Sequence, residues 1–152
     1  MYKNVAVTRF RSLARCELKD MRRVVLVVGG NNSGKTSLLE ALWILSMPSD
    51  PTLAVRINAK RGLGLGTSPA DFFSSFFHGF DTTQAIIISA DREHPSVLKR
   101  RSEKLELRPQ YDVELALADA AGAVSETSGA SGAINGLSLS FGGGADEFKT
   151  TL

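Results

Sequence analysis

The period of the apolar residues changes several times along the chain, and each change predicts an element. Val5 and Val7 alternate with polar neighbours before a bend at Phe10-Arg11-Ser12, and Leu18 closes a second short stretch, so residues 3–19 predict a β-hairpin. Residues 24–28, VVLVV, form an unbroken β-branched and aliphatic run, which predicts a central strand covered on both faces. From Thr36 to about Leu45 the residues Leu38, Leu39, Ala41, Leu42, Trp43, Ile44 and Leu45 leave almost no polar face, which predicts a helix surrounded by other elements. Pro48 and Pro51 forbid its continuation.

Residues 48–67 contain both prolines and Gly62, Gly64 and Gly66, so loop is expected there, apart from a strand around Leu53 to Ile57. In Ser68-Pro69-Ala70-Asp71 the serine can cap a helix whose first position suits proline, with Asp71 as the reciprocal half of a capping box. That helix carries Phe72, Phe73, Phe76 and Phe77 as an inward aromatic stripe and is expected to stop at Gly79. Beyond Gln84 the period becomes two: Ile86 and Ile88, Leu105 and Leu107, Val113, Leu115 and Leu117, then Leu137, Leu139 and Phe141. Antiparallel strands over residues 85–148 follow, with a turn at Asp119 to Gly122 and a Gly, Ala and Ser-rich loop over 120–136.

At 152 residues, 43% of them hydrophobic and 22% charged, the chain has the composition of one folded domain. A formal charge of +2 is too small to imply a nucleic-acid or membrane partner. Lys99, Arg100, Arg101, Lys104 and Arg108 cluster in sequence, but strand alternation would split them between two faces of a solvated hairpin. Cys16 is the single cysteine, so an intrachain disulfide is excluded and a reducing cytoplasm fits. The amino terminus lacks the apolar core of a signal peptide, and the most apolar helix is far short of the ~20 residues that cross a bilayer.

The chemistry concentrates between the VVLVV run and the apolar helix. Gly29-Gly30-Asn31-Asn32-Ser33-Gly34-Lys35-Thr36 matches the P-loop (Walker A) pattern G-x-x-x-x-G-K-[ST] at every fixed position, in the strand-to-helix setting that the pattern requires. A polyphosphate needs several backbone N–H groups converging on one concavity and the positive end of a helix dipole facing it. Gly29 and Gly34 give torsions and clearance that a Cβ would obstruct, and Asn31 and Asn32 tolerate left-handed backbone. Ser33 lies within the same loop. Lys35 is expected to reach the β- and γ-phosphates of ATP, Thr36 to ligate Mg²⁺, and Ser37 to add an α-phosphate contact.

In its order of elements the sequence resembles the amino-terminal lobe of AAA family ATPases related to RecF, SMC proteins and the OLD nucleases. The residues that carry the resemblance are "FRS" (Phe10 to Ser12), "GGNNSGKTSLLEAL" (Gly29 to Leu42), "DFFSSFFHGFD" (Asp71 to Asp81) and "AIIIS" (Ala85 to Ser89). Gly30 stands where relatives more often carry proline or another residue. The resemblance implies an α/β fold in which a P-loop NTPase core strand and helix are flanked by an antiparallel β-sheet, the first lobe of an ABC/SMC-like head. It also implies ATP and Mg²⁺ as cofactors, a second ATPase head as partner in a homodimer, and a DNA or nuclease-domain partner. The position matching Arg11 would lie near the nucleotide, whereas the Mg²⁺-sharing glutamine stays unassigned, because neither Gln84 nor Gln110 has the right setting.

Hydrolysis requires further groups: an acid after an apolar strand, a glutamate that orients water, and a signature motif from a second head. "LALAD", Leu115 to Asp119, has alanine where the glutamate belongs, and Asp119 reads as a turn residue. "LSFGGG", Leu139 to Gly144, resembles a signature with an inserted phenylalanine, but reads as a strand entering a glycine turn. Asp91 and Glu93 follow Ile86 to Ile88 and read as a strand end; His78 and His94 lie on unlike elements with no cysteine or further histidine nearby in sequence. The catalytic residues are therefore unassigned, and whether the chain hydrolyses ATP is left open. Residues 1–152 are expected to form one lobe of a larger ATPase in DNA repair, DNA maintenance or anti-phage defence. A non-hydrolysing or vestigial nucleotide-binding interaction module is the alternative, and a transporter ATPase fits the "FRS" hairpin less well.

Overall fold

The computed structural model describes residues 1–50, 52–64, 67–93, 100–111, 134–143 and 146–151. Strands β1 (Tyr2–Phe10) and β2 (Leu13–Leu18) form the expected hairpin, with Val5 opposite Leu18 and Val7 opposite Cys16. After helix α1 (Lys35–Ser46), α2 (Thr52–Lys60), α3 (Pro69–Ser74) and a 3₁₀ turn (His78–Phe80) come strands β3 (Ile86–Glu93), β4 (Arg100–Tyr111), β5 (Ile134–Gly143) and β6 (Asp146–Thr151). All six strands join one antiparallel sheet in the order β2-β1-β3-β4-β5-β6.

Alternation puts one face of the sheet in the core. Val5, Val7, Ile86, Ile88, Leu105, Leu107, Leu137 and Leu139 are buried against Leu38, Ala41, Ile44, Leu45, Leu53, Ile57, Phe76 and Phe77 from the helical side. Each of these side chains apart from Ala41 contributes about 1.5–3 kcal/mol when taken from water, so this interface dominates stability. The aromatic stripe is interior where it matters: Phe10 and Phe76 are fully buried with ring centroids 6.2 Å apart, and Phe10 bridges Phe77 across the chain. Ser68 caps α3 as expected, its Oγ accepting from the Asp71 amide at 3.1 Å and donating to Asp71 Oδ2 at 2.7 Å. α3 is shorter than expected and ends at Ser74, with Gly79 in left-handed backbone (φ 61°) inside the following 3₁₀ turn.

Three expectations are corrected. The stretch around Leu53 to Ile57 is helical: Asp50 Oδ1 accepts from the Thr52 amide at 3.0 Å, and Leu53, Ala54, Ile57 and Asn58 fall on one buried helical stripe. Residues 24–28 form no strand, and Val24, Leu26 and Val28 are 85%, 83% and 76% exposed. A strand exists only through ladder partners, and none of the described strands pairs with this run. α1 is not covered all round, since Leu39 is 59% exposed. The readings placed on Val113 to Leu117, Asp119 and most of 120–136 lie outside the described residues, as do Lys99, His94 and Gly144.

Candidate functional site

The glycine-rich loop leads directly into α1, and its backbone explains its residue choice. Asn32 sits at φ 62° and Gly34, the residue at the helix N-cap, at φ 88°; the first value is tolerated best by asparagine and the second by glycine. A Cβ on Gly34 would come within 2.6 Å of Leu13 Cδ2, so glycine is required there for space as well as torsion. At Gly29 a Cβ would meet Ser33 Oγ at 2.7 Å, a side chain that can rotate away.

α1 begins without a side-chain cap and without an acid in its first turn. Its first amides have no intrahelical acceptor, and the helix dipole adds partial positive charge there, so the geometry favours an anion. Lys35 reinforces that field. Its ammonium donates to the carbonyls of Gly29 (2.9 Å) and Gly30 (2.6 Å) and lies 3.5 Å from Ser33 Oγ, so it folds over its own loop. Asn31, Asn32, Ser33 and Thr36 are exposed, whereas Ser37 is buried and its Oγ lies 2.9 Å from Ser12 Oγ. The structure thus keeps Gly29 to Thr36 together on one exposed surface and turns the Ser37 hydroxyl away from it, toward the hairpin.

Arg11, the residue that the resemblance sets near the nucleotide, is anchored inside the protein at the hairpin turn. Its guanidinium is buried, donates to Asn58 Oδ1 at 2.6 Å and to the Ser75 carbonyl at 3.3 Å, and lies 4.6 Å from the centroid of the Phe76 ring. Its Nε forms an ion pair with Glu40 Oε2 at 2.8 Å, outside hydrogen-bond geometry. Burial pulls the Arg11 pKa down to about 10, Glu40 opposes that shift and Arg61 adds to it. Arg61 in turn holds Glu40 through two hydrogen bonds of 2.8 and 3.1 Å. Asn58, fully buried, completes the network by donating to the Phe72 carbonyl at 2.8 Å. Sequence reading missed Glu40, Asn58 and Arg61; the signal was Glu40 itself, a lone acid in the apolar run "SLLEALWIL".

The remaining candidate residues lie apart. Asp91 accepts from Asn4 Nδ2 at 2.9 Å and from Ser102 Oγ at 2.7 Å, and Glu93 pairs with Lys3 at 2.9 Å, so both are tied to their strand neighbours. His78 Nδ1 lies 2.8 Å from the Arg11 carbonyl, a turn contact rather than a ligand position. In the basic cluster, Lys104 and Arg108 both pair with Glu106 on the same strand. Of the glycines of "LSFGGG", Gly142 and Gly143 lie in β5, paired with Glu147 and Asp146 of β6. A recess of about 550 Å³ lies over the sheet, lined by residues that include Asn4, Glu17, Asp91, Ser102 and Lys104. No residue from 29 to 37 lines it, and its carboxylates oppose a polyanion. Among the described residues no group of three or more His, Cys, Asp or Glu could hold a metal ion, and no helix is long and apolar enough to cross a membrane.

Over 44 residues, 29% of this chain, the sequence is 41% identical to the DNA replication and repair protein RecF of Bacillus velezensis (strain DSM 23117 / BGSC 10A6 / LMG 26770 / FZB42). That match covers 12% of the RecF chain. The family model of the AAA ATPase domain matches residues 1–131. With so much of its length matched by that model, the chain belongs to the AAA ATPase domain family.

Proposed function

We propose that the loop from Gly29 to Thr36 binds ATP with Mg²⁺, as the nucleotide-binding lobe of a RecF-like ATPase that acts on DNA. The observation that carries this reading is the uncapped start of α1, preceded by left-handed Asn32 and Gly34 and overlaid by Lys35. In this reading the amides of Asn31 to Thr36 cradle the phosphates and the exposed Thr36 hydroxyl ligates Mg²⁺. Lys35 exchanges the Gly29 and Gly30 carbonyls for phosphate oxygens, a better partner for an ammonium than a neutral carbonyl. Ser37 contributes through its backbone N–H. Arg11 holds α1 through Glu40.

The exposure of Val24, Leu26 and Val28 supports assembly with further polypeptide. A β-branched run of this kind is stable as a strand only when other strands pair with it and cover it, so we assign residues 24–28 as the edge where the rest of the head joins. The same polypeptide would bring the acids that hydrolysis needs, and a second head would close over the nucleotide in a homodimer. The similarity to RecF, a DNA replication and repair protein, supports DNA over a transported solute as what the assembly works on. A cytoplasmic location follows from that role.

Calorimetric titration with ATP and Mg²⁺ tests the assignment. Lys35→Ala removes a charge-assisted interaction of ~1.5–3 kcal/mol, so its affinity is expected to fall about tenfold to a hundredfold. Equal affinity in both proteins would remove the loop from the account.

A further inference from the structure

The hairpin turn and the glycine-rich loop are separated in sequence but touch at two points. Ser12 Oγ lies 2.9 Å from Ser37 Oγ. Leu13 and Ser12 also press on the last loop glycine, since a Cβ at Gly34 would fall 2.6 Å from Leu13 Cδ2 and 3.2 Å from Ser12 Oγ. The turn that delivers both residues is itself fixed from the far side. The Arg11 amide donates to the Phe76 carbonyl at 2.8 Å, and the Arg11 carbonyl lies 2.8 Å from His78 Nδ1. Its side chain is held by Glu40, Asn58 and the Ser75 carbonyl.

Helix α1 has nothing of its own to set its first turn, because Gly34 gives no side-chain cap and no acid follows. We propose that Ser12 is a positioning residue for the glycine-rich loop: its hydroxyl, in contact with that of buried Ser37, orients the first turn of α1 and with it the loop amides. This rests on the nucleotide-binding reading above. Ser37 is only 3% exposed, so without Ser12 its hydroxyl has no solvent to turn to. The alternative acceptor for a helical serine is the carbonyl four residues earlier, here Ser33, inside the loop. Capture of that carbonyl bends the start of the helix and shifts the amides that precede it. Ser12 thereby links the β1–β2 hairpin to the quality of the phosphate cradle without touching the ligand.

Titration of Mg²⁺-ATP into wild type, Ser12→Ala and Ser12→Thr, with a thermal melt of each, tests this. Ser12→Ala is expected to bind roughly three- to tenfold more weakly, the size of one hydrogen bond, while its melting temperature stays within a few degrees of wild type. Ser12→Thr keeps the hydroxyl and is expected to restore affinity to within about twofold of wild type, which a loss of packing alone would not do. Wild-type affinity in Ser12→Ala would overturn the proposal and leave the nucleotide reading intact. Joint loss of affinity and stability without rescue by threonine would reduce Ser12 to a packing residue and also overturn it. No binding by wild type would instead sink the nucleotide reading, and this inference with it.

Discussion

Arg11 Nε lies 2.8 Å from Glu40 Oε2, and the two side chains are 6% and 11% exposed. This pair joins the hairpin turn to the second turn of α1 inside the protein. Removing one partner strands a buried charge, which costs about 3–5 kcal/mol, more than the intact pair contributes. Glu40→Ala is therefore expected to lower unfolding free energy by about 3 kcal/mol in urea titration, because Arg11 keeps the neutral partners Asn58, the Ser75 carbonyl and the Phe76 ring but loses the Glu40 carboxylate. A loss under about 1 kcal/mol would mean that the pair is not the clamp described.

The cap on α3 gives a smaller, local effect. Ser68→Ala deletes the acceptor for the Asp71 amide and the donor to its carboxylate, and is expected to cost about 1 kcal/mol in the same assay. Asparagine at position 68, another good cap, is expected to recover most of it.

Asp81 sets an acid-side dependence. Its pKa is held below the ordinary value of 3.8, first by the Thr83 hydroxyl, then by the Thr83 amide, with Arg9 adding to the effect. A carboxylate depressed in the folded state contributes stability that is present above its unfolded pKa and is lost as pH falls through the folded one. Asp81→Asn should then be less stable than wild type at pH 6, with the gap closing as pH drops below 3.8. Melting curves from pH 6 to the acid limit check this; a gap that stays constant with pH would contradict it.

The exposed run makes a prediction in the opposite sense. Leu26 is 83% exposed, so Leu26→Lys is expected to leave stability within about 0.5 kcal/mol of wild type. It should also reduce self-association in sedimentation, because an exposed apolar run invites pairing between chains. A stability loss above about 2 kcal/mol would show that Leu26 is packed within the chain.

What the sequence made legible was local. The Ser68–Asp71 cap, the hairpin at Phe10 to Leu13 and the strict alternation of Ile86, Ile88, Leu105 and Leu107 each depend on near neighbours, and the structure agrees with all three. The glycine-rich loop was legible for the same reason, since its conformation is encoded by Asn32 and Gly34 in place. Leu53 to Ile57 was misread because five residues fit either period, and only the Asp50 cap on Thr52 decides for helix. Val24 to Val28 was misread as a strand because composition records an affinity for ladder partners, not their presence. The Arg11, Glu40, Asn58 and Arg61 network was hidden because it joins positions that only the tertiary fold brings together.

The central claim is that the main-chain amides at the start of α1 receive a polyphosphate, and amide NMR reads them directly. In ¹⁵N-labelled protein titrated with Mg²⁺-ADP, the largest shifts are expected at Gly30 to Thr36, with the Lys35→Ala protein showing much weaker changes at the same positions. Unmoved loop amides at saturating nucleotide, or shifts confined to the sheet recess at Asn4, Asp91 and Ser102, would contradict the account.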